Sequence, residues 1–116
     1  MLRYVFIVIM LIHGLIHFMG FAKAFNYGNI TQLTKDISKT AGVLWLVTAC
    51  IFIAAVVLLL LKKDYWYIAG IIAAIISQVL IFTAWQDAKF GTIANALVLG
   101  AAITAFASIK SQLATL

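Results

Sequence analysis

Residues 41–61 read AGVLWLVTACIFIAAVVLLLL, a run of twenty-one without one charged side chain. At 1.5 Å per residue a helix of that length reaches about 31 Å, the thickness of a bilayer's hydrocarbon core. A helix in a soluble fold keeps a polar face for water, and this stretch has none. Lipid must therefore surround it. A backbone in lipid has to satisfy its own hydrogen bonds, so the segment is a helix, and ten-residue strands of alternating polarity are not seen.

Three more segments of the same kind flank it. Residues 3–25 read RYVFIVIMLIHGLIHFMGFAKAF, 66–85 read WYIAGIIAAIISQVLIFTAW, and 92–109 read TIANALVLGAAITAFASI. With 41–61 they predict an all-α bundle of four transmembrane helices, a polytopic membrane protein forming one domain over residues 1–116. Composition agrees. Hydrophobic residues make up 66% of the 116 positions and charged ones 9%, whereas a small soluble domain cannot bury so much apolar surface. Eight basic residues against three acidic give +5, but the bases are dispersed. Headgroup-facing loops suit that dispersion, and nucleic acid, which requires a clustered basic face, is excluded as a partner. Cys50 is the single cysteine, so no intramolecular disulfide forms, and the absence of proline leaves the helices without the usual cause of kinks.

The ends carry matching punctuation. Ser38 or Thr40 can cap the second helix, Lys62 and Lys63 oppose its C-terminal dipole, and Tyr65, Trp66, Tyr67 and Trp85 are interface anchors. AKA at 22–24 resembles a signal-peptidase site. The run before it is long for a signal peptide and carries two histidines, so it reads as a first spanning helix. Basic residues tie between the two sides, with Arg3, Lys62, Lys63 and Lys110 against Lys23, Lys35, Lys39 and Lys89. The Lys62–Lys63 pair in the shortest loop favours cytoplasmic termini.

Alternation of the helices gathers the unusual chemistry on one side, whatever the absolute orientation. There the first and third helices end and the second and fourth begin, bringing together Lys23, the 26–40 loop, Trp45 and WQDAKFGTIAN at 85–95. In the first helix Phe6, Met10, His13, His17, Gly20 and Ala24 recur at three- and four-residue steps and share a face. Ionisable groups facing lipid are costly, so this face should look into the bundle, with Gly20 and Ala24 permitting close approach of a neighbour. His17 lies roughly 12 Å from the loop-rich end, Gln78 and Cys50 at comparable depth, and Asn95 within a turn of the fourth helix's start.

Three readings compete for the two histidines. They can hydrogen-bond between helices, at about 0.6 and up to 2 kcal/mol per bond; bind a ligand or handle protons; or hold a metal or haem. His13 and His17 at i and i+4 could share a metal, yet no third ligand stands at diagnostic spacing, and bis-histidine haem needs rings on opposing helices. No metal and no cofactor is assigned. In WQDAKFGTIAN, Gly91 suits a tight turn, Thr92 can cap the fourth helix, and Asp87 can pair with Lys89, Lys23 or Lys39. The bland reading is a well-made interfacial turn. The sharper one has Asp87, Lys89 and Asn95 rimming a pocket whose floor is His17 and Gln78.

HGLIHFMGFAKAF, QLTKDISKTAGVLWL and SQVLIFTAWQDAKFGTIAN together resemble a set of small bacterial four-helix membrane proteins of unassigned function. In some of them a similar module precedes a soluble domain. The resemblance implies a bacterial inner-membrane location and, given the short tail here, a soluble partner on a separate polypeptide; it carries no activity. The expected function is a membrane module binding a partner protein, a second copy or a lipophilic ligand through its loop-rich half. The alternative is a small membrane enzyme or a metal or haem redox component using His13 and His17. A partner protein would be met by small residues around Gly100, Thr104 and Ser108.

Overall fold

The computed structural model describes residues 2–114, of which 112–114 by backbone alone. Five helices and no strand form among the described residues: α1 (Leu2–Ala24), α2 (Lys39–Leu60), α3 (Trp66–Thr83), the single turn α4 (Trp85–Ala88) and α5 (Gly91–Ala114). All but α4 are long and apolar enough to cross a membrane. They make an all-α four-helix bundle in a body 53 × 24 × 23 Å. The protein is thus built as an integral membrane protein.

The helix ends explain the boundaries. Ser38 caps α2, its side chain accepting from the Ala41 N–H. Both α1 and α2 stop by folding the chain back through a left-handed residue, Asn26 (φ 60°) and Lys62 (φ 58°). Tyr27 N–H then bonds Ala22 O at 2.8 Å and Lys63 N–H bonds Leu58 O at 2.9 Å, satisfying carbonyls the helix would otherwise orphan. The Arg3 guanidinium also donates to Leu59 O, tying the start of α1 to the end of α2.

The third helix is shorter than the predicted 66–85. Thr83 Oγ1 donates to Leu80 O at 2.6 Å, and the Ala84 N–H turns to Ile81 O at 3.0 Å in a tighter, 3₁₀-type closure. The break lets α4 swing back over the bundle end. Gly91, not Thr92, opens the last helix, and the Thr92 hydroxyl is spent on Gln78 instead of capping.

In packing, α1 lies on α2, α2 on α3 and α3 on α5, while α1 and α5 meet only sparsely. The core holds Met10, Phe52, Ala55, Ala73, Ala74, Val98 and Ala102. Buried residues of α1 are Ile7, Met10, His13, Gly14, His17, Gly20 and Ala24, nearly the face read from spacing. Close approach of α1 and α2 depends on the missing Cβ of Gly20, whose ideal position lies 2.1 Å from Trp45 Cδ2. No rotation of a buried indole relieves such an overlap without opening the core.

Gly20→Ala should therefore destabilise the bundle by about 2–3 kcal/mol through overpacking. Gly100→Ala, where an added Cβ meets nothing within 4 Å, should be neutral or stabilising. Denaturation of both variants in mild detergent decides it; equal stability would contradict the packing.

Candidate functional site

Both imidazoles point inward, His13 at 6% and His17 at 1% exposure. Their rings stand edge to face, centroids 4.8 Å apart, on an aromatic platform from α2: Phe52 lies 5.1 Å from His13 and Trp45 lies 5.2 Å from His17. The polar partners come from α3 and α5. His17 Nε2 meets Ser77 Oγ at 2.7 Å, and His13 Nε2 meets Asn95 Oδ1 at 2.8 Å. Asn95 Nδ2 donates to Ser77 Oγ and to Gln78 Oε1, both at 3.0 Å, and Gln78 Nε2 donates to Thr92 Oγ1 at 3.0 Å. His17 Nδ1 lies 2.7 Å from the His13 carbonyl.

For neutral rings these contacts admit one placement of the hydrogens. A carbonyl only accepts, so His17 Nδ1 carries the proton and its Nε2 is bare. Ser77 then donates to His17 and must accept from Asn95, which directs the Asn95 amide nitrogen toward Ser77. The amide oxygen consequently faces His13, so His13 Nε2 is protonated and its Nδ1 is a bare acceptor. The bonds close a ring through α1, α5, α3 and back to α1, with the two histidines in opposite tautomers. Every enclosed side-chain nitrogen and oxygen among the described residues has a partner.

Beside this network is a cavity of about 330 Å³ at the loop-rich end. His13, His17 and Trp45 line it together with Ile16 and Met19 of α1, Ile81 of α3, Ala88 of α4, and Phe90 and Gly91 at the start of α5. Gln32 and Leu33 of the α1–α2 loop lie over it, beside Asp87. Gly91 lets α5 begin close to the floor: a Cβ there would meet Ile81 Cδ1 at 2.8 Å and His13 Cε1 at 3.2 Å. The loop is pinned by Asp87, whose carboxylate accepts the Thr34 backbone N–H at 2.9 Å and the Thr34 hydroxyl at 3.0 Å. Those bonds, the backbone one foremost, hold the Asp87 carboxyl below the usual carboxylate range, with the charge of Lys23 contributing.

The structure brings His13, His17, Gln78 and Asn95 into one network and sets Asp87 on the cavity wall with the two histidines. It does not bring Lys89, which lies exposed with Nζ 5.6 Å from the Phe90 ring centroid. Gln78 and Asn95 stand behind the histidines and not on the cavity lining, so the expected rim and floor are rearranged. Cys50 is on the exposed face of α2, away from the imidazoles, because its register puts Ala49 and Phe52 inward instead. Asp87, which could have paired with Lys89, Lys23 or Lys39, holds Thr34 instead. No three His, Cys, Asp or Glu side chains gather among the described residues. Gly100, Thr104 and Ser108 lie exposed along α5. Sequence reasoning missed Ser77, the shared partner of His17 and Asn95. Its signal was available, since Gly70, Ala73, Ala74 and Ser77 form a face of small residues on α3 that stays buried.

Asn95→Leu strips the partners from His13, Ser77 and Gln78 at once. At 0.6 to about 1.7 kcal/mol per interhelical bond, a loss of about 2–4 kcal/mol is expected in detergent denaturation. Nitrogen NMR of histidine-labelled protein should show His13 protonated at Nε2 and His17 at Nδ1; the same tautomer at both would break the assigned ring of bonds. At the surface, a carboxyl whose folded pKa is lowered contributes stability in full above the unfolded value, about 3.9, and loses it as pH falls through the folded one. The Thr34 amide proton resonance should accordingly titrate with a midpoint below that value, and Asp87→Asn should abolish the titration.

Comparison with known proteins returned no matching family model, no matching curated protein and no matching solved structure.

Proposed function

We propose that this protein is a non-enzymatic module of the bacterial inner membrane that takes a lipophilic ligand into the cavity between α1, the α1–α2 loop and α4. The carrying observation is the cavity itself. Its volume, about 330 Å³, falls in the range of small-molecule sites, about 300–1,000 Å³, and its walls are mainly apolar with a few convergent polar groups. Ile16 and Phe90, at 49% and 75% exposure, stand on either side of its outer part. A molecule dissolved in the bilayer can thus enter between Ile16 and Phe90 without crossing water. The bacterial location rests on the resemblance of the HGLIHFMGF and DAKFGTIAN stretches to small four-helix membrane proteins.

An enzymatic role for the histidines has weaker support. Three of the four imidazole nitrogens are committed to protein partners. Asp87, the nearest carboxylate on the cavity wall, is engaged by Thr34. General acid–base chemistry needs a group free to exchange its proton with substrate, and only one ring nitrogen is left for it.

The test is photolabelling of the protein in lipid nanodiscs with an alkyl diazirine. Labels should concentrate on peptides holding Ile16, Met19 and Phe90. Ala88→Trp, which fills the cavity from one wall, should cut labelling there about tenfold while sparing the outward face of α2. Labelling spread evenly over all lipid-facing residues would overturn the reading.

A further inference from the structure

Two polar atoms on the rings lining the cavity have no partner among the described residues, and they are of opposite kind. His13 Nδ1 is the bare acceptor left by the ring of hydrogen bonds. The Trp45 indole nitrogen is a donor and makes no hydrogen bond among the described residues. Both rings are almost wholly covered, His13 at 6% and Trp45 at 3% exposure. Enclosed side-chain nitrogens and oxygens are all partnered among the described residues, so these two atoms are not sealed in. The space both rings line is the cavity. An indole N–H and an imidazole lone pair left unbonded at membrane depth each carry the desolvation cost of a missing partner.

From this we infer that the ligand's buried end is a neutral hydroxyl, donating to His13 Nδ1 and accepting from the Trp45 N–H, with its hydrocarbon tail leaving between Ile16 and Phe90. The inference rests on the ligand-binding reading above and adds the chemical class: an uncharged alcohol-headed amphiphile. The tautomer of His13 selects the donor. A carbonyl or ether oxygen would face the imidazole lone pair with a lone pair of its own, while a hydroxyl satisfies both protein atoms through one oxygen. Charge gives a fatty-acid carboxylate no partner, because the lining holds no lysine or arginine and its one charged side chain is the Asp87 carboxylate, already engaged by Thr34. Discrimination of this kind is steep, since a site built to bond a hydroxyl is left with unpaired groups by an analogue that lacks it.

The experiment measures displacement of the alkyl diazirine from the protein in neutral-lipid nanodiscs by dodecan-1-ol, dodecyl methyl ether, dodecane and dodecanoate at pH 7. The alcohol should displace the probe at concentrations at least tenfold lower than the ether, the ether should exceed dodecane, and dodecanoate should be weaker than the alcohol. Alcohol against ether isolates the bond to His13; ether against dodecane isolates the bond from Trp45. Addition of the alcohol, but not the ether, should shift the His13 Nδ1 nitrogen resonance in the wild-type protein, and Trp45→Phe should remove the advantage of ether over dodecane. Equal displacement by alcohol, ether and dodecane overturns the hydroxyl assignment and leaves the lipophilic site standing. Stronger displacement by dodecanoate overturns it in favour of an anionic ligand. No displacement by any of the four overturns the ligand-binding reading itself.

Discussion

Two imidazoles at hydrocarbon depth impose the constraint from which the rest of the structure follows. A polar group without a partner there costs several kcal/mol, and no water is at hand to supply one. His13 and His17 sit on one helix, so their partners must come from others. Ser77 from α3 and Asn95 from α5 arrive at matching depth and close a ring of bonds with α1. The ring does what an apolar core in lipid cannot. Apolar side chains gain little by leaving lipid for a neighbour, so they set no register between helices, whereas a hydrogen bond of 2.7 or 2.8 Å sets it within a fraction of a turn. The fourth partner, α2, contributes no bond to the ring and offers Phe52 and Trp45 as a platform instead, admitted by the missing side chains of Gly14 and Gly20.

The same constraint produces the cavity. Helices α1 and α5 pack sparsely, and His13–Asn95 is the hydrogen bond joining them. Toward the loop-rich end α5 begins at Gly91, beside His13, while α1 runs on to Ala24, so Ile16 and Met19 of α1 line a cavity shared with α4, Phe90 and Leu33 of the α1–α2 loop. Thr34 and Asp87 then hold that loop in place at the headgroup level, where a charged carboxylate is tolerable. Polar bonding thus serves at two depths, inside to set the helices and outside to fix the roof. The void between them keeps apolar walls with one polar end.

Much of this was legible in the residues. The four spans follow from length and polarity alone, because the hydrocarbon thickness dictates both. The inward face of α1 follows from the cost of exposing His13 and His17, and the meeting of His13, His17, Gln78 and Asn95 from counting depth along alternating helices. Depth counting cannot give rotation about a helix axis, however, and the errors are errors of rotation. Cys50 matches the histidines in depth but points outward. Ser77, one residue from Gln78, takes the central place because its short side chain lies on the buried small-residue face of α3, within hydrogen-bond reach of both His17 and Asn95. The end of α3 escaped for another reason: Thr83 competes for a backbone carbonyl, a local event in a run that is otherwise uniformly helical.

The sense of the ring of bonds also bears on what the histidines do. Reversing every hydrogen in it would require Asn95 to offer its nitrogen to His13 and its oxygen to Ser77. Gln78 would have to turn with it, and Ser77 would then accept from His17. His17 already gives Nδ1–H to a backbone carbonyl, so the reversed ring exists only with His17 doubly protonated and charged. The path from His13 to Ser77 passes through a carboxamide, which can hand on a proton only by becoming its far less stable imidic acid tautomer. A chain of hydroxyls or water would conduct; this one orients. Its product is a fixed lone pair on His13 Nδ1, held at the inner end of an apolar cavity by bonds reaching three helices. In the proposed ligand-binding reading that fixed acceptor is the recognition element, and the histidine pair is the device that builds it.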